Sequence, residues 1–174
     1  MKILGIDPGS LIAGYGIVEK GAGGRLIHVC EGQISMSQTR PLPERLLAIS
    51  KELNSIIEAH RPEAVSIESL FYAKNFKSSA VLSHARGVAL LSAASFGLPV
   101  FEYAPSAVKL AVTGYGNATK EQVQKMVKAL LKTEQSFKAD AADALAIAIC
   151  HIHHCRLSPE KKPVKAAALK TEAI

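Results

Sequence analysis

The chain has 174 residues, of which 48% are hydrophobic, and its 21 basic and 15 acidic side chains leave a net charge of +6. That length suits one domain with its own core, and no run of about 18 uncharged apolar residues has the leucine density of a membrane span. Cys30, Cys150 and Cys155, behind an N-terminus (MKILGIDPGS) without a signal-peptide layout, fit reduced thiols and a cytoplasmic location rather than a disulfide framework.

Residues 2–7 (KILGID) read as a buried strand ended by Pro8-Gly9. Residues 13–20 (AGYGIVEK) and 25–34 (RLIHVCEGQI) are two further strands, and the short link GAGG makes them antiparallel neighbours. In 41–62, Leu42, Leu46, Ile49, Leu53, Ile56 and Ile57 form one stripe with charged residues largely opposite, which predicts an amphipathic helix closed by Pro62. AVSIE (64–68) follows as a fully buried strand that ends in an acid, Glu68. Residues 78–97 are small or apolar on nearly every face, so this helix is expected to be covered on more than one side. PVFEY (99–103) is a fifth strand, 105–114 a short helix stopped by glycine, 118–132 a helix capped by Thr119, and 139–155 the last helix. A three-strand meander followed by alternating helices and strands predicts an α/β fold, a mixed five-stranded sheet flanked by helices. The folded unit is expected over 1–157, with 158–174 a basic flexible tail in which Pro159 and Pro163 discourage regular structure.

Four acids stand in conspicuous places. Asp7 and Glu68 end apolar strands, and Asp140 and Asp143, three residues apart and so on one helical face, open the last helix. If the first and fourth strands are parallel neighbours, Asp7 and Glu68 leave the sheet at the same edge, where the last helix can present the other two. Clustered carboxylates repel, and burial raises their pKa values unless a cation compensates. Magnesium, a hard ion with oxygen ligands that also accepts phosphate oxygens, suits such a set. Two ions about 3.5–4 Å apart are the usual arrangement for phosphodiester hydrolysis, with manganese a conceivable substitute. Each acid also has a plainer reading. Asp7 can serve the Asp-Pro-Gly turn, Asp140 can cap the helix, and Asp143 can complement its dipole. Glu68 is harder to explain that way, because AVSI gives little reason for an acid at its end.

Basic charge is segregated. No acid occurs from Ser69 to Phe101, where Lys74, Lys77 and Arg86 lie, nor from Tyr103 to Lys120, which holds Lys109 and Lys120. Directly after Glu68, SLFYAKNFKSS interleaves Phe71, Tyr72 and Phe76 with Lys74, Asn75 and Lys77. Aromatic faces stack bases and lysines hold phosphates without reading sequence, so the segment is a candidate DNA surface; the plainer alternative is a loop whose aromatics cover the core. The run CHIHHC (150–155) has zinc-like residue types, but a core-facing Cys150 with histidines that complement the helix C-terminus explains it more simply.

With these residues in view, the chain resembles the RuvC Holliday-junction resolvases. GIDPG with GYGIV, IESLFYAKN with ARGVALL, YAPSAVKLAVTGYGNATKEQVQ and KADAADALAIAICH match that family's blocks in order, across nearly the whole chain except the tail. The resemblance implies a ribonuclease H-like fold, a homodimer, magnesium-dependent cleavage of four-way DNA junctions and cooperation with the RuvA and RuvB branch-migration proteins. It also implies that Asp7, Glu68, Asp140 and Asp143 are the catalytic, metal-binding acids, that Phe71 stacks near an unpaired base, and that Lys109 and Lys120 are the family's lysines. The small-faced helix at 78–97 is the candidate for part of the two-fold interface. Two rival readings remain: a branched-DNA binding module without catalysis, and a fragment of an actin-like phosphotransferase, which generally needs a second related domain.

Overall fold

A computed structural model describes residues 1–9, 11–35, 37, 39–69 and 76–157. Phe71, Tyr72, Lys74 and Asn75, and the expected tail at 158–174, lie outside the described residues. Strand β1 (Lys2–Asp7) shows the period of two that governs the rest. Leu4 and Ile6 enter one apolar cluster, while Ile3 enters another on the opposite face, the face to which Gly5 and Asp7 also belong. Strands β2 (Ile12–Lys20) and β3 (Leu26–Ser35) continue from it as the expected antiparallel meander, linked by a one-turn 3-10 segment at Ala22–Gly24.

Helix α1 (Leu42–His60) buries Ile49, Leu53, Ile56 and Ile57. It stops two residues before Pro62, because Arg61, disfavoured from the helical region by the proline that follows, turns left-handed (φ 48) and donates its N–H to the Ile57 carbonyl. Strand β4 (Ala64–Glu68) then pairs parallel with β1, and β5 (Val100–Tyr103) parallel with β4, so the sheet order is β3-β2-β1-β4-β5. This is the mixed five-stranded sheet the sequence predicts.

Helices cover both faces. Against one face, α1 and α2 (Phe76–Ser95) pack on Leu4, Ile6, Ile17, Val65 and Ile67, with Ala85, Ala89 and Ala93 of α2 buried. Against the other lie α3 (Pro105–Thr113), α4 (Lys120–Leu131) and α5 (Ala139–Leu157). Helix α3 ends at Gly114, whose φ of 83 is free to glycine, and Thr119 and Gln122 form a reciprocal capping box at the head of α4. Buried Ser66 of β4 fastens the central helix, its hydroxyl donating to the Ile147 carbonyl of α5 at 3.3 Å. Among the described residues no helix is long and apolar enough to cross a membrane.

Candidate active site

Parallel register sets the first two acids side by side. Ile6 of β1 is level with Ile67 of β4, so Asp7 and Glu68 are the next residues at the carboxyl ends of adjacent strands, and by alternation both belong to the α5 face. Such an edge, beyond the carboxyl ends of parallel strands, is where open α/β sheets place their ligands. Helix α5 brings the second pair, and it does so by coming unusually close to the sheet. A Cβ on Gly5 would collide with the Ala144 carbonyl, one on Gly14 with the Asp140 carbonyl, and one on Gly16 with the Leu145 side chain. Gly14 is also the residue opposite Asp7 across the β1–β2 ladder. The backbone of Asp140 therefore rests on β2 beside Asp7 because no side chain stands between them. This explains why a buried helix begins with two acids on one face and continues in alanine.

The charges behave as a crowded group. Asp7 is pushed up from 3.8 to about 7, first by burial and then by Glu68, Asp143 and Asp140, with Lys120 partly offsetting them. Burial and Asp143 likewise raise Glu68, against the pull of Lys120 and Lys109. Lys120, the first residue of α4, holds its ammonium 3.0 Å from an Asp143 oxygen, and that hydrogen bond with the nearby acids raises its own pKa. Asp7, Glu68, Asp143, Lys109 and Lys120 line one cleft of about 190 Å³, floored by residues of α3, α4 and α5 such as Val108, Val123 and Ile147.

This donor set suits a hard divalent cation. All four acids offer oxygen alone, and the pKa of Asp7 is raised by burial first and then by three neighbouring carboxylates that Lys120 only partly offsets. Among the described residues, no three acids, histidines or cysteines form a ready-made ligating cluster; the fit rests on donor chemistry and on the uncompensated charge.

The remaining expected residues divide. Lys109 and Lys120 stand in the cleft with the acids. Arg86 does not: on α2 it pairs with Glu102, which alternates with Phe101 and Tyr103 and so faces the side of the sheet away from α5. Lys77 falls in the first turn of α2, and its side chain lies outside what the structure describes. Asp140 sits within the first turn of α5, one residue past its first position, rather than at the cap. Its carboxylate is held by a residue the sequence reading passed over, Gln33 of β3, whose side-chain amide donates to Asp140 Oδ2 at 2.5 Å. The two are 107 positions apart, and only the β2–β3 register, which pairs Gln33 with Gly14, brings them together.

CHIHHC packs in part into the core. Cys150 is fully buried and its thiol donates to the Ala107 carbonyl at 3.7 Å. His151, also buried, shares a 2.8 Å hydrogen bond with Tyr103 and stacks at a tilt on Phe101.

Comparison with known proteins identifies the family. The family model described as crossover junction endodeoxyribonuclease RuvC matches residues 3–151. A crossover junction endodeoxyribonuclease RuvC of Trichlorobacter lovleyi is 44% identical over 173 residues, covering 99% of this chain and 97% of the relative. That of Geobacter sulfurreducens is 51% identical over 151 residues, covering 87% of this chain and 92% of the relative. A solved structure of Thermus thermophilus RuvC in complex with Holliday junction substrate superposes with a TM-score of 0.85 at 30% identity, over 94% of this chain and all of that one. With a family model across residues 3–151, relatives near half-identical over most of their length, and a solved member of the family superposing over 94% of the chain, the chain belongs to the RuvC family of crossover junction endodeoxyribonucleases.

Proposed function

We propose that this chain resolves four-way DNA junctions by paired symmetric nicks, in recombination and repair of DNA in the cytoplasm, leaving 5′-phosphate and 3′-hydroxyl ends. One observation carries the reading: Asp7 and Glu68 end adjacent parallel strands beneath a helix that delivers Asp140 and Asp143, and Asp7 is left with more negative charge around it than Lys120 offsets. Asp7, Glu68, Asp140 and Asp143 would hold two magnesium ions, with manganese as a substitute. Such ions, when bound, lower the pKa of water and steady charge on a departing oxygen.

The chain's own groups do the rest. Lys109 and Lys120, on the rim of the cleft, neutralise the phosphates flanking the scissile bond and hold the backbone in line. Water oxygen adds to phosphorus as the P–O3′ bond breaks; the 3′ oxygen takes up a proton, and the phosphate stays on the 5′ end. The apolar floor of the cleft limits competing solvent. Phe71, Tyr72, Lys74, Asn75 and Lys77 follow Glu68 directly in sequence, which supports a stacking and phosphate-binding role for them at the junction centre, whereas the ion pair of Arg86 with Glu102 favours a structural role for that arginine.

A two-fold substrate calls for a two-fold enzyme. Helix α2 supports a homodimer through its outer side, where Leu91 is 65% exposed although much of the helix is apolar. Residues 1–157 then form the nuclease unit and 158–174 a basic appendage, with RuvA- and RuvB-type proteins as partners. The test is an immobile synthetic junction and a matched linear duplex, each incubated with and without magnesium. Paired cuts in the junction alone, only with magnesium and absent in Asp7→Asn, are expected; junction binding without cleavage by the wild-type chain would instead favour a binding module.

A further inference from the structure

The strongest unused observation is the Gln33–Asp140 hydrogen bond. Of the four acids, Asp143 holds the Lys120 ammonium at 3.0 Å, and Asp7 and Glu68 feel the same lysine. Among the described residues, Asp140 is the acid with a neutral side-chain donor on it, and that donor comes from β3. The amide occupies Oδ2, and among the described residues no hydrogen bond falls on Oδ1. Gly14 lets the Asp140 backbone settle onto β2, since a Cβ there would collide with the Asp140 carbonyl and crowd the Asp140 Cβ, and the residues level with Gly14 on its two neighbouring strands are Gln33 and Asp7.

From this arrangement we infer that Gln33 is a positioning residue: it fixes Asp140 with one oxygen toward β3 and turns the other toward Asp7, so that the pair presents a preset, one-oxygen-each site for a divalent cation. A neutral amide suits this task. It holds the carboxylate by donating to it, and unlike a lysine it brings no positive charge to compete with the cation. Gln33 also divides labour with Lys120. The lysine compensates charge at Asp143 and can exchange for a metal, while the glutamine orders Asp140 whether or not a metal is bound.

This inference rests on the reading of the acids as metal ligands, and the experiment keeps the two separable. Manganese binding to the purified chain is measured without DNA, by calorimetry or electron paramagnetic resonance, for wild type, Gln33→Met, Gln33→Glu and Asp7→Asn, with circular dichroism confirming the fold. Gln33→Met keeps length and shape but removes the donor. Removal of an outer-shell partner of this kind typically weakens metal affinity about 10–100-fold, and about tenfold is expected here. The cleavage defect of Gln33→Met should shrink as manganese is raised, with KM for the junction unchanged. Gln33→Glu, which sets like charge against Asp140, should lose the preset geometry as well and require more metal for cleavage than wild type. If wild type binds manganese and Gln33→Met binds it equally well, Gln33 has no positioning role and the metal reading stands. If wild type binds none, the metal reading itself falls.

Discussion

Asp7 links the stability of the protein to its chemistry, in opposite directions. Unfolded, the carboxyl titrates near 3.8; folded, near 7, chiefly because it is buried and then because Glu68, Asp143 and Asp140 surround it. Between these values the folded state holds a proton that the unfolded state has released, so folding is favoured at low pH and loses stability as pH rises from about 4 through about 7. At about 1.4 kcal/mol per unit, full ionisation costs on the order of 4 kcal/mol in metal-free protein. Two outcomes follow at this position. Asp7→Asn should raise the urea midpoint of the metal-free chain above pH 7 and flatten its pH dependence while abolishing cleavage. Magnesium should restore the wild-type midpoint at the same pH, since a cation bound only by the folded state stabilises it, and should leave that of Asp7→Asn largely unmoved. Denaturation series at pH 5, 6, 7 and 8, with magnesium or with a chelator, check both.

At the scale of elements, close approach of α5 to β1 and β2 decides whether four separate acids become one site. Ala144 packs over Gly5, and the start of α5 over Gly14. Gly5→Ala places a methyl against helix backbone that no rotamer change can move aside, and overpacking of this kind costs about 1–3 kcal/mol; a lowered denaturant midpoint measures it. Gly14→Ala collides at Asp140 instead, at the helix end, where the chain can yield by lifting its first turn. It should destabilise less than Gly5→Ala, yet reduce cleavage by more than tenfold if the displaced Asp140 is a metal ligand as proposed. The sequence discloses much of this architecture. Period-two strands, the α1 stripe and the Thr119 cap were each legible because local pattern and tertiary role coincide there, and Asp7, Glu68, Asp140 and Asp143 stood out because acids end apolar elements. Gln33 was not legible, since a glutamine near the end of an edge strand looks like any solvated residue until register sets it against Gly14. The function of Gly5, Gly14 and Gly16 was equally hidden: glycine in a strand marks close approach as readily as a bulge, and only the packed helix tells them apart. Arg86, grouped with the other basic residues by sequence, lies on a helix that covers the face of the sheet away from α5.

The whole molecule is asymmetric in a way that its substrate, taken as a four-way junction, would use. Its acids gather at one sheet edge while Lys109 and Lys120 rim the same cleft, so the proposed phosphate attraction and phosphate cleavage would be adjacent within a net charge of +6. Replacing either lysine with methionine should reduce the salt dependence of junction binding by about one counterion each and weaken binding at all sequences alike, as expected for contacts that hold backbone rather than bases. One cleft can cut one strand, however, and resolution needs two. On the opposite face, α2 buries Ala85, Ala89 and Ala93 against the sheet yet leaves Leu91 exposed, with Phe96 just beyond its end 36% exposed. An isologous contact through this side would hold two clefts in fixed relation, each facing outward, because the acids sit on the other side of the sheet. Light scattering at micromolar concentration should therefore give about twice the 18.5 kDa chain mass. Leu91→Glu, which sets a charge against its own copy across the two-fold axis, should give the single mass while preserving the circular dichroism spectrum. On a supercoiled cruciform plasmid, wild type should release linear product directly. The monomeric variant should accumulate nicked circles first, because its two cuts would require two independent encounters. A dimer for Leu91→Glu would move the interface elsewhere on the molecule, and concerted cutting by a verified monomer would remove the need for one.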